Sequence, residues 1–352
     1  MDVITGFDRL EKHYLASESR PKVGYLCLRV SPEYIEACGA DALRIAPRPG
    51  YDLSAFTPIR PDGCSFCRSV PAILETDVYR NLNAIIAGTC CDQMRRLMDT
   101  LNDLLDIPVI LFGAPRTWNA DPDYFRGEMI DAFGKIEEIT GNAATETELL
   151  ERIRVHNNLK NSVNHLRRQE KLPTALLQRI SCSILPPEEI LSFLSNSRDL
   201  PAIPAEIRLL LAGSIPGVWE LDVIESNGSR VVADATCLGD RVFHRLTSEK
   251  GDPVQQLYQT YVEDNLCPHR RPVTSTIDYL KNLMDERQID GVVYRSVKYC
   301  HPWGLLAERM KKELEAPLLI VDDDLTSPAV ENFRTRVGAF TEMLKMKLRR
   351  RA

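Results

Sequence analysis

Ten cysteines stand in this chain of 352 residues, at positions 27, 38, 64, 67, 90, 91, 182, 237, 267 and 300. Their share is far below the ~8–10% of a disulfide scaffold, and a reducing compartment would keep them as thiols. Three fall where an open α/β sheet puts its ligand site, beyond the carboxyl ends of strands. Cys91 follows the apolar run 82–87, Cys300 follows the run 291–296, and Cys64 lies in a loop between predicted strands. Thiolates converging from separate loops suit an iron–sulfur cluster, because soft sulfur matches iron and three cysteines leave one iron open to a substrate. The competing reading is a set of buried, inert thiols, since free cysteine is among the most buried residue types.

Cys64 and Cys67 also form a C-x-x-C pair, which elsewhere marks a redox dithiol or half of a zinc site. A zinc ribbon wants a second such pair some 15–20 residues on, and Cys90 and Cys91 are adjacent instead. A thioredoxin-type pair should open a helix directly after a strand, whereas residues 58–63 read as a turn-rich loop. Iron–sulfur ligation suits the spacing best of these three.

Positioning such thiols requires strands, and the sequence supplies two series of them. Runs 22–30, 42–46, 82–87 and 108–112 read as strands, with helical spacing at 34–38 and 93–105 between them. Ser31 and Pro32 give a helix start, as N-cap and first helical residue. Strand signals vanish from 124 to 200, where Phe133, Ile136, Leu149, Ile153 and Leu166 mark amphipathic helices. Pro201 and Pro204 favour an extended linker, after which runs 207–213, 230–233, 291–296 and 317–322 read as strands, with helices at 217–225, 275–286 and 328–349. The expected fold is α/β: two open, mostly parallel, Rossmann- or flavodoxin-like domains with an intervening helical region. Residues 1–200 form the first domain, with the helical insert at about 124–200, and residues 201–352 the second.

The composition, 44% hydrophobic and 27% charged with a mean hydropathy of −0.22, is that of an ordinary globular protein. A net charge of −6 gives no pull toward nucleic acid or anionic membrane. The one basic cluster, 345–351, falls at a helix end. No apolar run approaches the ~18 residues of a membrane span, and residues 1–22 carry charges throughout, so a cytoplasmic protein is expected.

Several segments together bring a resemblance. Gly24-Tyr25-Leu26-Cys27, Pro32-Glu33, Cys64-Ser65-Phe66-Cys67-Arg68 and Thr89-Cys90-Cys91-Asp92 come in the first half. Leu211-Ala212-Gly213-Ser214, Cys237-Leu238-Gly239, Cys267-Pro268 and Lys298-Tyr299-Cys300-His301-Pro302-Trp303 follow in the second. In this order, over about residues 22–344, the chain resembles the 2-hydroxyacyl-CoA dehydratase and benzoyl-CoA reductase family, as an iron–sulfur subunit of D-component type. The resemblance implies a [4Fe–4S] cluster held by Cys64, Cys91 and Cys300, with Cys67 and Cys90 as neighbouring competitors. It also raises a double-cubane [8Fe–9S] cluster, toward which Cys237, Cys267 and Cys67 would add ligands; the simpler expectation leaves Cys237 and Cys267 as ordinary buried thiols.

The reaction so implied is dehydration of a 2-hydroxyacyl-CoA thioester through a ketyl radical, because removing an unactivated β-proton is beyond ordinary acid–base help of about 10²- to 10⁴-fold. Acyl-CoA reduction and non-catalytic electron transfer are the alternatives. Implied partners are the acyl-CoA substrate, a related second subunit or a second copy, and an ATP-dependent iron–sulfur activator. The chain itself has no P-loop motif. No catalytic acid or base is assigned. His301 is a candidate neighbour of the cluster, and Arg68, Arg116, Arg241, Arg270 and Arg271 are candidate partners for coenzyme A phosphates. Asp322, Asp323 and Asp324 read as a strand-end loop capping the last helix.

Overall fold

The computed structural model describes residues 3–15, 20–49, 51–54, 58–196, 202–226, 228–326 and 328–350. Two four-stranded parallel sheets carry the fold, as expected for an α/β chain. The first holds β1 (Lys22–Leu26), β2 (Asp41–Arg44), β3 (Ala84–Gly88) and β4 (Val109–Phe112) in the order β2-β1-β3-β4. The second holds β5 (Ile207–Gly213), β6 (Ser229–Ala235), β7 (Gly291–Val297) and β8 (Leu318–Asp323) in the order β6-β5-β7-β8. Both are flavodoxin-like orders, and both reverse direction between their first and third strands. Such a reversal opens a crevice at the carboxyl ends of those strands.

Parallel sheets need helices on both faces, and successive strand residues point to opposite sides. In the first sheet Leu26, Ile85 and Ala87 face α3 (Ser65–Leu74) and α4 (Asp92–Leu104), packing on Val70, Ile73, Leu97 and Leu101. Val23, Ala84 and Ile86 face α2 (Pro32–Ala37) and α5 (Pro122–Thr140), packing on Ile35, Met129 and Phe133. The second sheet repeats this. Leu210, Ala212 and Tyr294 pack on α11 (Thr274–Glu286) and α12 (His301–Glu313), while Leu209, Leu211 and Val293 pack on α9 (Glu220–Glu225) and α13 (Val330–Arg349). Between β5 and β7 the backbones come so close that a Cβ on Gly213 would lie 1.8 Å from the Arg295 carbonyl oxygen, at a φ of +126°.

The helical region consists of α5, α6 (Glu146–Arg168), α7 (Thr174–Ser181) and α8 (Pro187–Ser195), joined by α1 (Val3–Leu15) through Phe7 and Leu177. A capping box of Thr145 and Glu148 starts α6. Along its length α6 grips both halves of the molecule. Lys160 meets Glu33 of α2 at 3.3 Å, and the guanidinium of Arg167 makes a bidentate bond to Asp240 at 3.0 and 3.1 Å. A short α10 (Pro253–Tyr258) precedes a π turn at Gln259–Glu263.

Every predicted strand exists, β5 with the expected bounds and the others with shifted ends. The strand expected at 22–30 stops at Leu26 because Cys27 turns into the left-handed region at a φ of 77°. Ser31 is the N-cap of α2 and accepts from the Tyr34 amide, with Pro32 first in the helix. Four helices, α1, α3, α10 and α12, go beyond the sequence expectation. Pro71 inside α3 reads as a breaker, and the start of α12 reads only as a Cys-His-Pro-Trp motif. The linker residue Pro201 and the end of the basic cluster, Arg351, lie outside the described residues. Among those residues no helix is long and apolar enough to cross a membrane.

Candidate metal centre

The two crevices face each other and merge into one cleft, lined by Cys27, Cys64, Cys67, Cys90, Cys91, Cys237, Cys267 and Cys300. Eight of the ten cysteines thus meet in one place, from both halves of the chain. Cys38 lies in the core beneath α2 and α5. Cys182 is buried at the end of α7, where its thiol donates to the Gln178 carbonyl.

The three cysteines expected to act together share one local geometry: each is the N-cap of a helix. Cys64 caps α3, Cys91 caps α4 and Cys300 caps α12. The Cys91 sulfur also accepts from the Met94 amide at 3.4 Å. Tyr299, just before Cys300, has a φ of 65°, so two non-glycine residues in the left-handed region, Cys27 and Tyr299, border the cleft. Helix N-termini carry partial positive charge and free N–H groups, which favour thiolate over thiol. Three such termini aim at one cavity.

The halves are fastened together beside these caps. The Ser65 amide donates to the Lys298 carbonyl at 3.1 Å, the Leu325 amide donates to the Ser65 hydroxyl at 3.3 Å, and Arg68 pairs with Asp324 at 3.0 Å. Arg68 is therefore a fastening between halves and is committed to a carboxylate. Asp322 and Asp323 belong to strand β8 rather than to a loop, and Asp323 accepts from the amide of Ala329, the N-cap of α13.

The sulfurs form two touching groups. Cys64 accepts from Cys300 and from Cys67, which holds its thiol well below the ordinary range and pushes both donors up. Cys27 and Cys91 each accept from Cys90, and each is held at about 5. Burial pushes Cys237 up to about 11. Burial would raise Cys267 as well, but the charge of His269 overrides it and holds that thiol at about 7. His269 is itself raised to about 10 because Cys267 outweighs the effect of burial.

Cationic groups also line the cleft. Arg241 lies over the Trp303 ring at 5.1 Å, its Nη1 is 3.9 Å from the Cys237 sulfur, and its buried Nε has no hydrogen-bond partner. Arg44 donates Nη2 to the Cys237 carbonyl and leaves Nε and Nη1 without partners. Neither guanidinium meets a carboxylate, and an uncompensated buried cation costs several kcal/mol. A thiolate-ligated iron–sulfur cluster, being anionic and soft, matches these donors and charges.

Three sequence expectations need adjustment. Cys64 does open a helix, though no strand directly precedes it, so only part of the redox-pair geometry is present. Adjacent residues are expected to point apart, yet Cys90 and Cys91 reach the same spot beside His269, with ligand atoms within 4.8 Å of one another. The turn that does this runs from the Gly88 carbonyl to the Cys90 amide at 2.8 Å. His301 is exposed at the first residue of α12 and does not line the cleft. Two residues of the cleft, Cys27 and His269, are absent from the sequence-based candidates. Cys27 follows β1 as Cys91 follows β3, and His269 stands two residues after Cys267, so both signals were present. Of the remaining arginine candidates, Arg116 pairs with Asp92 at 2.9 Å and Arg270 lies over the Trp118 ring at 4.1 Å.

The family model for the 2-hydroxyglutaryl-CoA dehydratase D-component matches residues 27–344. The chain is 20% identical over 301 positions to the (R)-phenyllactyl-CoA dehydratase beta subunit of Clostridium sporogenes, covering 80% of each chain. It is 23% identical over 360 positions to a benzoyl-CoA reductase subunit of Thauera aromatica, covering 94% of this chain and 92% of that one. With eight thiols in a cleft at two strand-order reversals and a family match over nearly its whole length, the chain belongs to the 2-hydroxyglutaryl-CoA dehydratase D-component family.

Proposed function

We propose that the chain is a subunit of an oxygen-sensitive 2-hydroxyacyl-CoA dehydratase whose [4Fe–4S] cluster is held by Cys64, Cys91 and Cys300. The observation that carries this reading is the convergence of three helix N-termini, each capped by one of those cysteines, on one cleft. When bound, such a cluster supplies one-electron transfer and an open iron as a Lewis acid. The chain's own residues set the conditions for that chemistry. Arg44 and Arg241 offset the negative charge of the thiolates, while Phe66, Met94, Ile215 and Trp303 form the apolar part of the wall and exclude water. A second cavity of about 440 Å³ adjoins the cleft through Leu28, Arg241 and Asn265, which both share, and Lys160, Arg245 and Tyr261 line it. Its wall mixes charged and polar side chains with Leu28, Val242 and Leu266.

The reading includes a related second subunit or second copy, and an ATP-dependent activator that donates the starting electron. It also includes a division near residue 200 into two α/β domains and a reducing, cytoplasmic setting in which all ten cysteines stay free. The test is anaerobic reconstitution with a 2-hydroxyacyl-CoA, a second subunit and an activator of this type. Turnover should require ATP and only substoichiometric activator, because dehydration returns the electron at the end of each cycle. Turnover by the isolated chain without ATP would contradict the reading. Continuous consumption of reductant would move the assignment to an acyl-CoA reductase, which the similarity to the benzoyl-CoA reductase subunit favours as second reading. The eight thiols of the cleft also favour asking for a double cubane, which about eight irons per chain would reveal.

A further inference from the structure

The three proposed cluster ligands leave five cleft cysteines and one buried histidine unused. They are not scattered. Cys27 and Cys90 follow β1 and β3, which pair with Leu26 opposite Ala87, so both leave the sheet at the same edge. Cys90, Cys91 and His269 offer two sulfurs and one ring nitrogen within 4.8 Å of one another, and Cys27 lines the same cleft.

His269 carries the independent observation. Its Nδ1 lies 3.0 Å from the Cys267 sulfur, while its Nε2 is buried and without a hydrogen-bond partner. An unsatisfied buried ring nitrogen costs free energy unless something absent from the protein chain completes it. Histidines that bind metal are typically built this way: one nitrogen is tied to a neighbour that fixes the ring, and the other is free for the ion. Two thiolates and one imidazole, with a fourth position left open, are a donor set of tetrahedral zinc or iron(II).

We propose that Cys90, Cys91 and His269 hold a single zinc or iron(II) ion beside the cluster. This rests on the cluster reading above only in that Cys91 is common to both sets. Cys91 groups with Cys90 and His269 and lines the same cleft as Cys64 and Cys300, and a thiolate sulfur has lone pairs enough to serve two metals. Cys267 is then a positioning residue, acting on the ion through the His269 ring.

The test is elemental and acid-labile sulfide analysis of the full chain purified anaerobically, alongside single variants. The wild type should carry one metal equivalent beyond the cluster irons, without added sulfide. His269→Ala and Cys90→Ser should lose that equivalent and keep the cluster iron and sulfide, whereas Cys300→Ser should lose the cluster and keep the extra ion. Cys91→Ser should lose both. Zinc or iron is then distinguished by the element found. To guard against poor folding of a variant, a second measurement uses cobalt(II) added to the Cys300→Ser chain, with thiolate-to-cobalt charge-transfer absorption as readout. That absorption should appear, and should change in intensity and position when His269→Gln is added. No extra metal in the wild type, an extra equivalent untouched by His269→Ala, or extra iron that brings matching sulfide would each overturn the proposal. Loss of the cluster reading alone would leave the extra ion in place in every variant except those of its own three ligands.

Discussion

Replacing Lys160 by Met should destabilise the whole fold, because α6 joins the cleft's two walls and Lys160 is its buried contact to the first half. Lys160 lies 3.3 Å from the Glu33 carboxylate, which also accepts from Tyr261 at 2.6 Å and from Ser31 at 2.9 Å. Glu33 is fully buried and Lys160 is 5% exposed. Burial pushes the Glu33 carboxyl up, but Lys160, His156 and Tyr261 outweigh it and hold the group at about 2. Removing one partner of a buried pair leaves the other charge uncompensated and costs about 3–5 kcal/mol. Unfolding entropy of about 2.1 cal/mol/K per residue gives about 0.7 kcal/mol/K for 352 residues unfolding as a unit, so Tm should fall by about 4–7 °C. Thermal unfolding followed by circular dichroism at neutral pH reads this directly. A carboxyl depressed in the folded state stabilises above its unfolded pKa and loses that contribution as pH falls toward the folded value. The gap between wild type and Lys160→Met should therefore narrow as pH drops from about 4.5 to about 2. A Tm change under about 1 °C at neutral pH, or a gap that widens in acid, would refute the reasoning.

Other expectations follow from the same geometry. Single Ser replacements of Cys64, Cys91 and Cys300 should each abolish stable iron binding, whereas Cys38→Ser and Cys182→Ser, outside the cleft, should retain it; iron and sulfide assays on anaerobic protein check both. Arg241→Met should speed iron loss to a chelator by about tenfold, the equivalent of about 1.4 kcal/mol of lost charge compensation, and an unchanged rate would remove Arg241 from the electrostatic account. Gly213→Ala should prevent correct pairing of β5 with β7, since its Cβ would overlap the Arg295 carbonyl, and should yield protein lacking a cooperative melt.

Strands were legible because parallel strands buried on both faces read as continuous apolar runs, and β5 coincides with the run at 207–213. The site was legible wherever a cysteine followed such a run, as Cys91 and Cys300 do. Cys27 was hidden by the same logic: with apolar Leu28 and Val30 after it, the run reads as continuous, and only the left-handed turn at Cys27 shows that the strand has ended. His269 could not be paired with Cys90 and Cys91 from sequence, because a gap of 178 residues separates it from Cys91 and only the tertiary fold closes it. Helix α3 escaped because Pro71 reads as a breaker and α12 because its start reads only as a Cys-His-Pro-Trp motif; a cysteine N-cap hides nothing by itself, since α4, capped by Cys91, was legible at 93–105.

Anomalous diffraction at the iron edge from crystals grown without oxygen tests the central claim most directly. The account predicts a compact group of about four iron sites in the cleft, bonded to the sulfurs of Cys64, Cys91 and Cys300. Iron absent from that triad, or held by cysteines that exclude two of the three, would contradict it.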